Sequence, residues 1–202
     1  MNQPMTRRKT RTVRSVRTDF HVRDANPAEP QSGPVIAGYF AVFNSDYEIW
    51  PGAVERVAPG AFSNSLGGDV RALTNHDTTL VLGRNTAGTL QLREDSHGLW
   101  GDILINPKDL DAVNLYERVK RGDVNQCSFG FRIGAEEADF RDDGTVHWTI
   151  TRVDPLYEVS VCTFPAYEAT SVNARSASRE AALAEHLDAW KTKLKGVLEK
   201  WH

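Results

Sequence analysis

Short runs of apolar and β-branched residues, separated by turn-forming residues, dominate the middle of the chain. Gly, Asn and Asp punctuate the sequence between the runs, a pattern typical of proteins built from many short strands. The predicted strands cover residues 35–43, 70–76, 89–94, 98–105, 124–133, 145–153 and 156–164. Strands this numerous and this closely spaced favour a closed or nearly closed β-barrel over βαβ units.

Two segments within this region have helical character, so we expect peripheral helices and an α+β fold that is mainly β. Between residues 108 and 122 the apolar positions approximate one stripe, and Gly122 follows as a helix-ending residue. The stripe consists of Leu110, Val113, Leu115 and Val119. A short helical turn is also expected at residues 59–66.

The C-terminal segment predicts an amphipathic helix. Its apolar residues recur at alternating spacings of four and three, which places them along one helical seam. They are Leu183, Leu187, Trp190, Leu194, Val197 and Trp201. This stripe either docks on the body of the protein or offers a face for self-association or for a partner helix.

The 202 residues divide into three parts by composition. Residues 1–34 form a basic arm that we expect to be flexible, residues 35–175 form the β domain, and residues 176–202 form the helical tail. The formal net charge is -3, but residues 1–23 carry seven Lys and Arg against one Asp. The arm is therefore either a tether for a polyanion such as nucleic acid or a solubilising end.

Cysteine content and hydropathy exclude several classes of protein. Cys127 and Cys162 cannot form a CxxC metal site or a disulfide framework, and we expect neither a metal nor a cofactor. No apolar run approaches the roughly 20 residues needed to span a bilayer. The basic N-terminus is not followed by the apolar segment of a signal peptide. The composition therefore predicts a protein of a reducing, cytoplasm-like compartment that does not bind membranes.

One predicted strand, NQCSFGFRI, raises the question of a nucleophile. Alternation places Cys127 on the same face as Phe129, and this face is expected to pack in the core. Ser128 belongs to the opposite face with Gly130, which leaves room for a group to approach the backbone. We therefore interpret Cys127 as a small buried hydrophobe and keep Ser128 as a candidate nucleophile.

A serine nucleophile needs a base, because an isolated hydroxyl is hardly ionised at neutral pH. Of the six histidines, His76 has the best position, at the end of the predicted strand in LTNHD. It is either a catalytic base or a histidine in a simple Asx-turn formed with Asn75 or Asp77.

The base in turn needs a group that orients its imidazole. Glu158 in LYEVSVCTF is a candidate, since alternation places it with Leu156, Ser160 and Cys162 on one strand face. A lone strand glutamate more often faces solvent, and the residues alone leave both readings open.

Six segments occur in an order and at a spacing that resemble the prohead maturation proteases of tailed double-stranded DNA phages. They are GYFAVFN, VAPGAF, ALTNHDTTLVLGR, LREDSHGLWGDI, VNQCSFGFR and LYEVSVCTFPAY. The resemblance covers roughly residues 35–175, most of the chain. This family is in turn similar to the herpesvirus capsid-assembly protease, assemblin, a β-barrel serine protease with a Ser-His-His triad.

The resemblance implies Ser128 as the nucleophile and His76 as the general base. The assemblin strand that carries the third triad residue has a pattern similar to EVSVC, which implies that Glu158 takes the third position. Glu in place of His departs from assemblin, but a carboxylate has this role in most serine hydrolase triads. His147 and Asp154 are the weaker candidates for it. The turn at residues 163–166 corresponds to the region in which assemblins supply oxyanion donors.

The resemblance also implies a function and partners. We expect a serine endopeptidase that cleaves phage scaffold and major capsid proteins, and also itself, inside the assembling prohead in the host bacterial cytoplasm. Because assemblins dimerise, a homodimer is expected, and nucleic acid would bind only through the basic arm. The alternative is a non-catalytic capsid- or scaffold-binding assembly module that uses the arm and the tail. An esterase-like hydrolase is a third reading, but the chain lacks the GxSxG elbow.

Overall fold

The computed structural model of the protein describes residues 11–25 and 33–164, together with residues 184, 188 and 192. Over these residues the strands are β1 (Thr12–Arg17), β2 (His21–Arg23), β3 (Val35–Val42), β4 (Tyr47–Trp50), β5 (Ala53–Val57), β6 (Arg71–Thr74), β7 (Asp77–Arg84), β8 (Leu90–Glu94), β9 (Gly98–Leu104), β10 (Gln126–Phe140) and β11 (Val146–Cys162). One α-helix, α1 (Leu110–Arg121), lies between β9 and β10 within residues 33–164.

A long antiparallel hairpin of β10 and β11 forms the centre of the larger sheet. Its strands are joined by a turn at residues 142–144, where Gly144 takes a φ of 81° that favours glycine. β1 pairs with the free edge of β10. The other edge of β11 pairs in parallel with β5 along one half and with β6 along the other. β4 and β7 complete this seven-stranded sheet, and β2, β3, β9 and β8 form a second, antiparallel sheet.

The main hydrophobic core takes side chains from both sheets. Residues from β3 and β9 of the smaller sheet and from β10 and β11 of the larger one form one buried cluster, which includes Ile36, Phe40, Leu99, Ile103, Phe129, Phe131, Val159 and Val161. Burial of large side chains such as these supplies the main driving force for folding, about 1.5–3 kcal/mol each. This core fixes which faces of β10 and β11 point inward.

Helix α1 is capped at both ends by its own sequence. The Asp109 carboxylate accepts hydrogen bonds from the backbone N–H groups of Asp111 and Ala112, and Gly122 ends the helix with a φ of 87°. The prediction of the helix and of its terminating glycine is confirmed. The predicted stripe was partly wrong, because Leu110 is exposed. The buried face consists of Ala112, Leu115, Tyr116 and Val119.

The prediction of a mainly β fold is confirmed, and several details differ. The two predicted strands at 145–153 and 156–164 form one continuous strand, β11, and the expected helical turn at 59–66 consists of turns. The two sheets account for the described strands, and closure into an assemblin-like barrel remains a prediction. The predicted C-terminal helix at 176–202 lies outside the described residues except for the helical residues 184, 188 and 192.

Two segments of residues 1–34, the arm that we expected to be flexible, form strands. Residues 12–17 form β1 on the larger sheet, and residues 21–23 form β2 on the smaller one. The sequence did not reveal β1 because the Glu55 carboxylate and the edge of β10, which it contacts, lie far along the chain. In the part of the chain that the structure describes, no helix is long and apolar enough to cross a membrane.

Candidate active site

The hairpin of β10 and β11 brings two candidate residues onto one face of the sheet. Ser128 lies directly opposite Ser160, and Gly130 lies opposite Glu158. Since Cys127 and Phe129 on β10 belong to the core, alternation turns these four residues to the other face. Side chains in directly opposed positions lie about 4.5–5.5 Å apart at Cβ, so this face concentrates hydroxyl and carboxylate groups.

A β-bulge makes this arrangement differ from simple alternation. Gly130 pairs with Glu158, but the next residue, Phe131, pairs with Leu156, so Tyr157 is the extra residue in β11. Leu156 consequently packs in the core, whereas we expected it to share a face with Glu158. The bulge leaves Glu158 on the polar face.

His76 lies in the tight turn between β6 and β7. Asn75 and His76 both adopt left-handed backbone conformations, with φ of 50° and 62°, which for non-glycine residues are uncommon and cluster at functional sites. The turn is held in place by β11, because Asn75 N–H donates to Val161 O and His76 N–H donates to the Ser160 hydroxyl, at 3.0 and 3.2 Å. The pairing of β6 with β11 thus places the imidazole above Glu158 and Ser160.

The imidazole of His76 is hydrogen-bonded to Glu158. Nδ1 of His76 lies 2.8 Å from Oε1 of Glu158, and Ser160 Oγ donates to the second carboxylate oxygen, Oε2, at 2.6 Å. Ser160 Oγ is also 3.3 Å from His76 Nδ1. This geometry holds the proton on Nδ1 and leaves Nε2 as the atom available to accept a proton.

Glu158 is buried but remains a carboxylate. Burial by itself raises the pKa of Glu158, but hydrogen bonds from His76, Ser160 and Arg11, together with the charge of His76, outweigh it and lower the pKa below its ordinary value. Glu158 can therefore accept the Nδ1 proton of His76 in a hydrogen bond and stabilise an imidazolium. This is the role of the acid in a serine hydrolase triad.

Ser128 is fully buried and its hydroxyl is bonded to β1. Ser128 Oγ donates to the backbone carbonyl of Arg14 at 2.7 Å and accepts from Ser15 Oγ at 3.2 Å. Among the described residues, its hydroxyl makes these bonds to β1 and none to His76. The structure thus brings Ser128 onto the face of the His76–Glu158 pair, with its hydroxyl bonded to the neighbouring strand β1.

The two cysteines are buried and protonated. Burial is the main cause that raises the pKa of the Cys127 thiol, and Cys127 packs in the core as expected. Burial and the charge of Glu158 raise the pKa of Cys162 to about 12. Cys162 Sγ lies 3.9 Å from His76 Nε2, but a thiol with so high a pKa is a poor nucleophile.

The weaker candidates for the third position lie elsewhere. His147 is at the opposite end of β11 from Glu158, on the order of 36 Å along an extended strand, and its Nδ1 is 3.4 Å from Arg56 Nη2. Asp154 is exposed, and its backbone carbonyl accepts a bond from Arg132 Nε. Neither reaches His76, so the geometry favours Glu158.

Two residues of the site were missing from the sequence analysis. Ser160 was placed on the correct face but given no role, although it bridges His76 and Glu158. Arg11 donates from Nη2 to Glu158 Oε1 at 2.6 Å; no local signal distinguishes it from the other arginines of the basic arm. In residues 11–25 and 33–164, no group of three His, Cys, Asp or Glu side chains is placed to hold a metal ion.

A comparison with protein families identifies the family to which the chain belongs. The family model described as caudovirus prohead serine protease matches residues 18–185, most of the chain. The chain belongs to this family. The family match includes β10, β11 and the His76 turn, and begins directly after β1.

A curated relative supports the family assignment. The chain is 31% identical over 147 residues to a protein named prohead protease from Enterobacteria phage HK97. The matched region covers 69% of this chain but only 59% of that relative. No solved structure matches the chain.

Proposed function

We propose that this protein is a serine endopeptidase of phage prohead maturation, with Ser128 as nucleophile, His76 as general base and Glu158 as the acid that orients it. The observation that carries the proposal is the 2.8 Å hydrogen bond between His76 Nδ1 and Glu158 Oε1 on the sheet face of Ser128. Family membership supplies the reaction class, peptide hydrolysis by a serine.

The proposed mechanism follows from the proton positions. With Nδ1–H donated to Glu158, Nε2 of His76 takes the proton of Ser128 Oγ as that oxygen attacks a peptide carbonyl. His76 then gives the proton to the leaving amine, which leaves an acyl group on Ser128. Water activated by the same histidine releases the acyl group and regenerates the hydroxyl.

Ser160 acts in this proposal as a positioning residue for the base. Its hydroxyl accepts from the backbone N–H of His76 and donates to Glu158, so it fixes both the turn and the carboxylate. Thr163, in the turn expected to supply oxyanion donors, has its N–H bonded to Asn75 Oδ1 at 2.9 Å. An oxyanion donor from this turn would have to come from another residue or from a rearranged turn.

The substrates proposed are the phage scaffold and major capsid proteins and the chain itself, cleaved inside the assembling prohead in the host bacterial cytoplasm. The family and the name of its relative support this substrate class. A homodimer, and contact of the basic N-terminus with nucleic acid, remain predictions.

One observation favours the second candidate, a non-catalytic capsid- or scaffold-binding module. Ser128 is fully buried and bonded to Arg14 and Ser15, and a nucleophile must reach both its base and its substrate. Peptidase activity therefore requires β1 to move away from Ser128 before the reaction.

Co-expression with capsid components separates the two functions. We expect wild type to produce shortened capsid or scaffold proteins, detected by mass spectrometry, and Ser128→Ala to produce none. The matched control is Ser63→Ala, which removes an exposed hydroxyl and should process like wild type. Equal processing by Ser128→Ala would exclude this serine, and fluorophosphonate labelling of Ser160 instead would reassign the nucleophile.

A further inference from the structure

β1 contacts the proposed nucleophile, Ser128, and Arg11, the residue directly before β1, contacts Glu158. It runs antiparallel to β10 with Ser15 directly opposite Ser128, and the Arg14 carbonyl accepts the Ser128 hydroxyl proton at 2.7 Å. Arg11 donates to Oε1 of Glu158, the same carboxylate oxygen that is hydrogen-bonded to His76. An extended basic segment therefore lies along the nucleophile strand.

The side chain of Arg14 points to the inner side of the sheet, where it meets the buried carboxylate of Glu55. Its Nε donates to the carboxylate of Glu55, and its guanidinium lies 5.3 Å from the centre of the Tyr47 ring. Glu55 is only 1% exposed. A cavity of about 250 Å³ adjoins this pair, with Tyr47, Glu55 and Phe129 in its walls. A buried carboxylate beside an aromatic face is a site built for a guanidinium or ammonium group.

β1 itself resembles a bound segment more than a permanent core strand. The inward positions of β1 are Thr12, Arg14 and Val16, whereas β3 buries Ile36 and Phe40 completely. A buried ion pair contributes little net stability compared with apolar packing of the same volume. The match to the family also begins at residue 18, directly after β1 ends at Arg17. The family-matched segment therefore includes β10 but not the strand that pairs with the edge of β10 beside Ser128.

We propose that the edge of β10 beside Ser128 is a binding site for an extended peptide strand with a basic side chain, and that Glu55 and Tyr47 form the subsite for that side chain. β1 occupies this site in the same chain and keeps Ser128 covered. This inference rests on the proposed peptidase function: the peptide that replaces β1 is a substrate segment with Arg or Lys at the position of Arg14.

Main-chain pairing with β10 and the subsite for the basic side chain contribute differently to recognition of the peptide. Addition of a strand to a sheet edge gives affinity through backbone hydrogen bonds, and pockets for alternate side chains give specificity. Because β1 is covalently attached, it competes at high effective concentration with any free peptide. Weakening its Arg14 anchor should therefore both uncover Ser128 and open the site to a peptide.

The first test measures uncovering in the full-length chain. The rate of fluorophosphonate labelling at Ser128 is compared between wild type, Arg14→Met and, as a milder change, Arg11→Ala. We expect labelling to accelerate about tenfold or more in Arg14→Met, because reactivity scales with the uncovered fraction. Arg17→Ala, which removes an exposed arginine from the same strand, should leave the rate at the wild-type value.

The second test measures binding without relying on catalysis. A fluorescent peptide with the sequence of residues 11–17, RTVRSVR, is titrated into full-length Arg14→Met and followed by anisotropy. Replacing the peptide's second arginine from the N-terminal end, the Arg14 equivalent, by Gln should weaken binding about tenfold or more, since removing one partner of a buried charge pair has at least that effect. Replacing its last arginine should have little effect, and Glu55→Gln in the protein should abolish the difference.

The outcomes separate this inference from the proposed function. Peptide binding with the expected arginine dependence, but no labelling of Ser128 in any variant, would support the strand site and overturn the peptidase. Labelling of Ser128 at equal rates in wild type, Arg14→Met and Arg11→Ala would overturn the proposed strand site and would still support the peptidase function. If Arg14→Met and Arg11→Ala both unfolded, β1 would be a strand that the fold requires, and the inference would also be overturned.

Discussion

His76 and Glu158 are separated by 82 positions in the chain, and their side chains meet through a 2.8 Å hydrogen bond. The contact depends on the parallel pairing of β6 with β11, which sets Thr74 beside Val161 and leaves the turn residue His76 above the polar face of β11. The bulge at Tyr157 then decides that Glu158, and not its neighbour, points to the histidine.

Glu158→Gln should preserve the shape of the site and remove most of its activity. The amide cannot stabilise an imidazolium and can hold the wrong tautomer of His76, so we expect kcat to fall by roughly 10⁴, as when the acid of a Ser-His-Asp triad is replaced by its amide. Processing of co-expressed capsid proteins and the rate of Ser128 labelling measure the loss. Glu137→Gln, an exposed position on β10, is the matched control, and equal activity of the two variants would remove Glu158 from the mechanism.

The same carboxylate should leave a signature in the pH dependence of stability. The pKa of Glu158 is lowered in the folded protein from an ordinary value of 4.5. The group therefore adds stability that is fully present above pH 4.5 and is lost as the pH falls through the lower, folded pKa. Urea unfolding at several pH values should show wild type losing stability relative to Glu158→Gln only on the acid side. A difference that does not change with pH would contradict the pKa shift.

The sequence pattern was informative where side chains alternate regularly. Cys127 and Ser128 could be assigned to opposite faces of β10 because that strand is regular around them. His76 stood out because a histidine between Asn75 and Asp77 at a strand end belongs to a turn. Both features depend only on residues that are adjacent in the chain, so they can be predicted from the sequence alone.

The features that were missed depend on partners remote in sequence. β1 contains two arginines, Arg14 and Arg17, and Arg11 directly precedes it. Arg11 pairs with Glu158, Arg14 pairs with Glu55, and the strand itself pairs with the edge of β10. Leu156 changed faces because of a bulge that only the pairing of β10 with β11 reveals. Charge and alternation in one strand cannot specify either arrangement.

Neither cysteine should behave as a reactive thiol in the folded protein. Burial raises the pKa of both thiols, that of Cys162 to about 12, so the thiolate is scarce near neutral pH. We expect iodoacetamide at pH 8 to modify Cys127 and Cys162 only after denaturation, as measured by mass spectrometry. Cys162→Ala should retain peptidase activity within a few-fold of wild type. Rapid native alkylation of Cys162, or complete inactivity of Cys162→Ala, would point to a thiol mechanism.

Gly130→Ala should damage the site without replacing a proposed catalytic residue. A Cβ at this position would collide with Oε1 of Glu158 and lie 2.8 Å from Nε of Arg11. The carboxylate must then move away from His76, and we expect a loss of about 1–3 kcal/mol in unfolding free energy, typical of overpacking, together with a large fall in Ser128 labelling. Urea unfolding and fluorophosphonate labelling measure the two effects.

Gly67 has open space where Gly130 does not. Gly67→Ala is the matched control, since an added Cβ there meets no atom within 4 Å. Combining Gly130→Ala with Arg11→Ala should restore part of the lost stability, because removal of the guanidinium gives the Glu158 carboxylate a direction in which to move. Activity should not return to the same extent, since the carboxylate that moves away from Gly130 also moves away from His76. If Gly130→Ala matched Gly67→Ala in both measurements, the close approach of Glu158 to β10 would have no functional role.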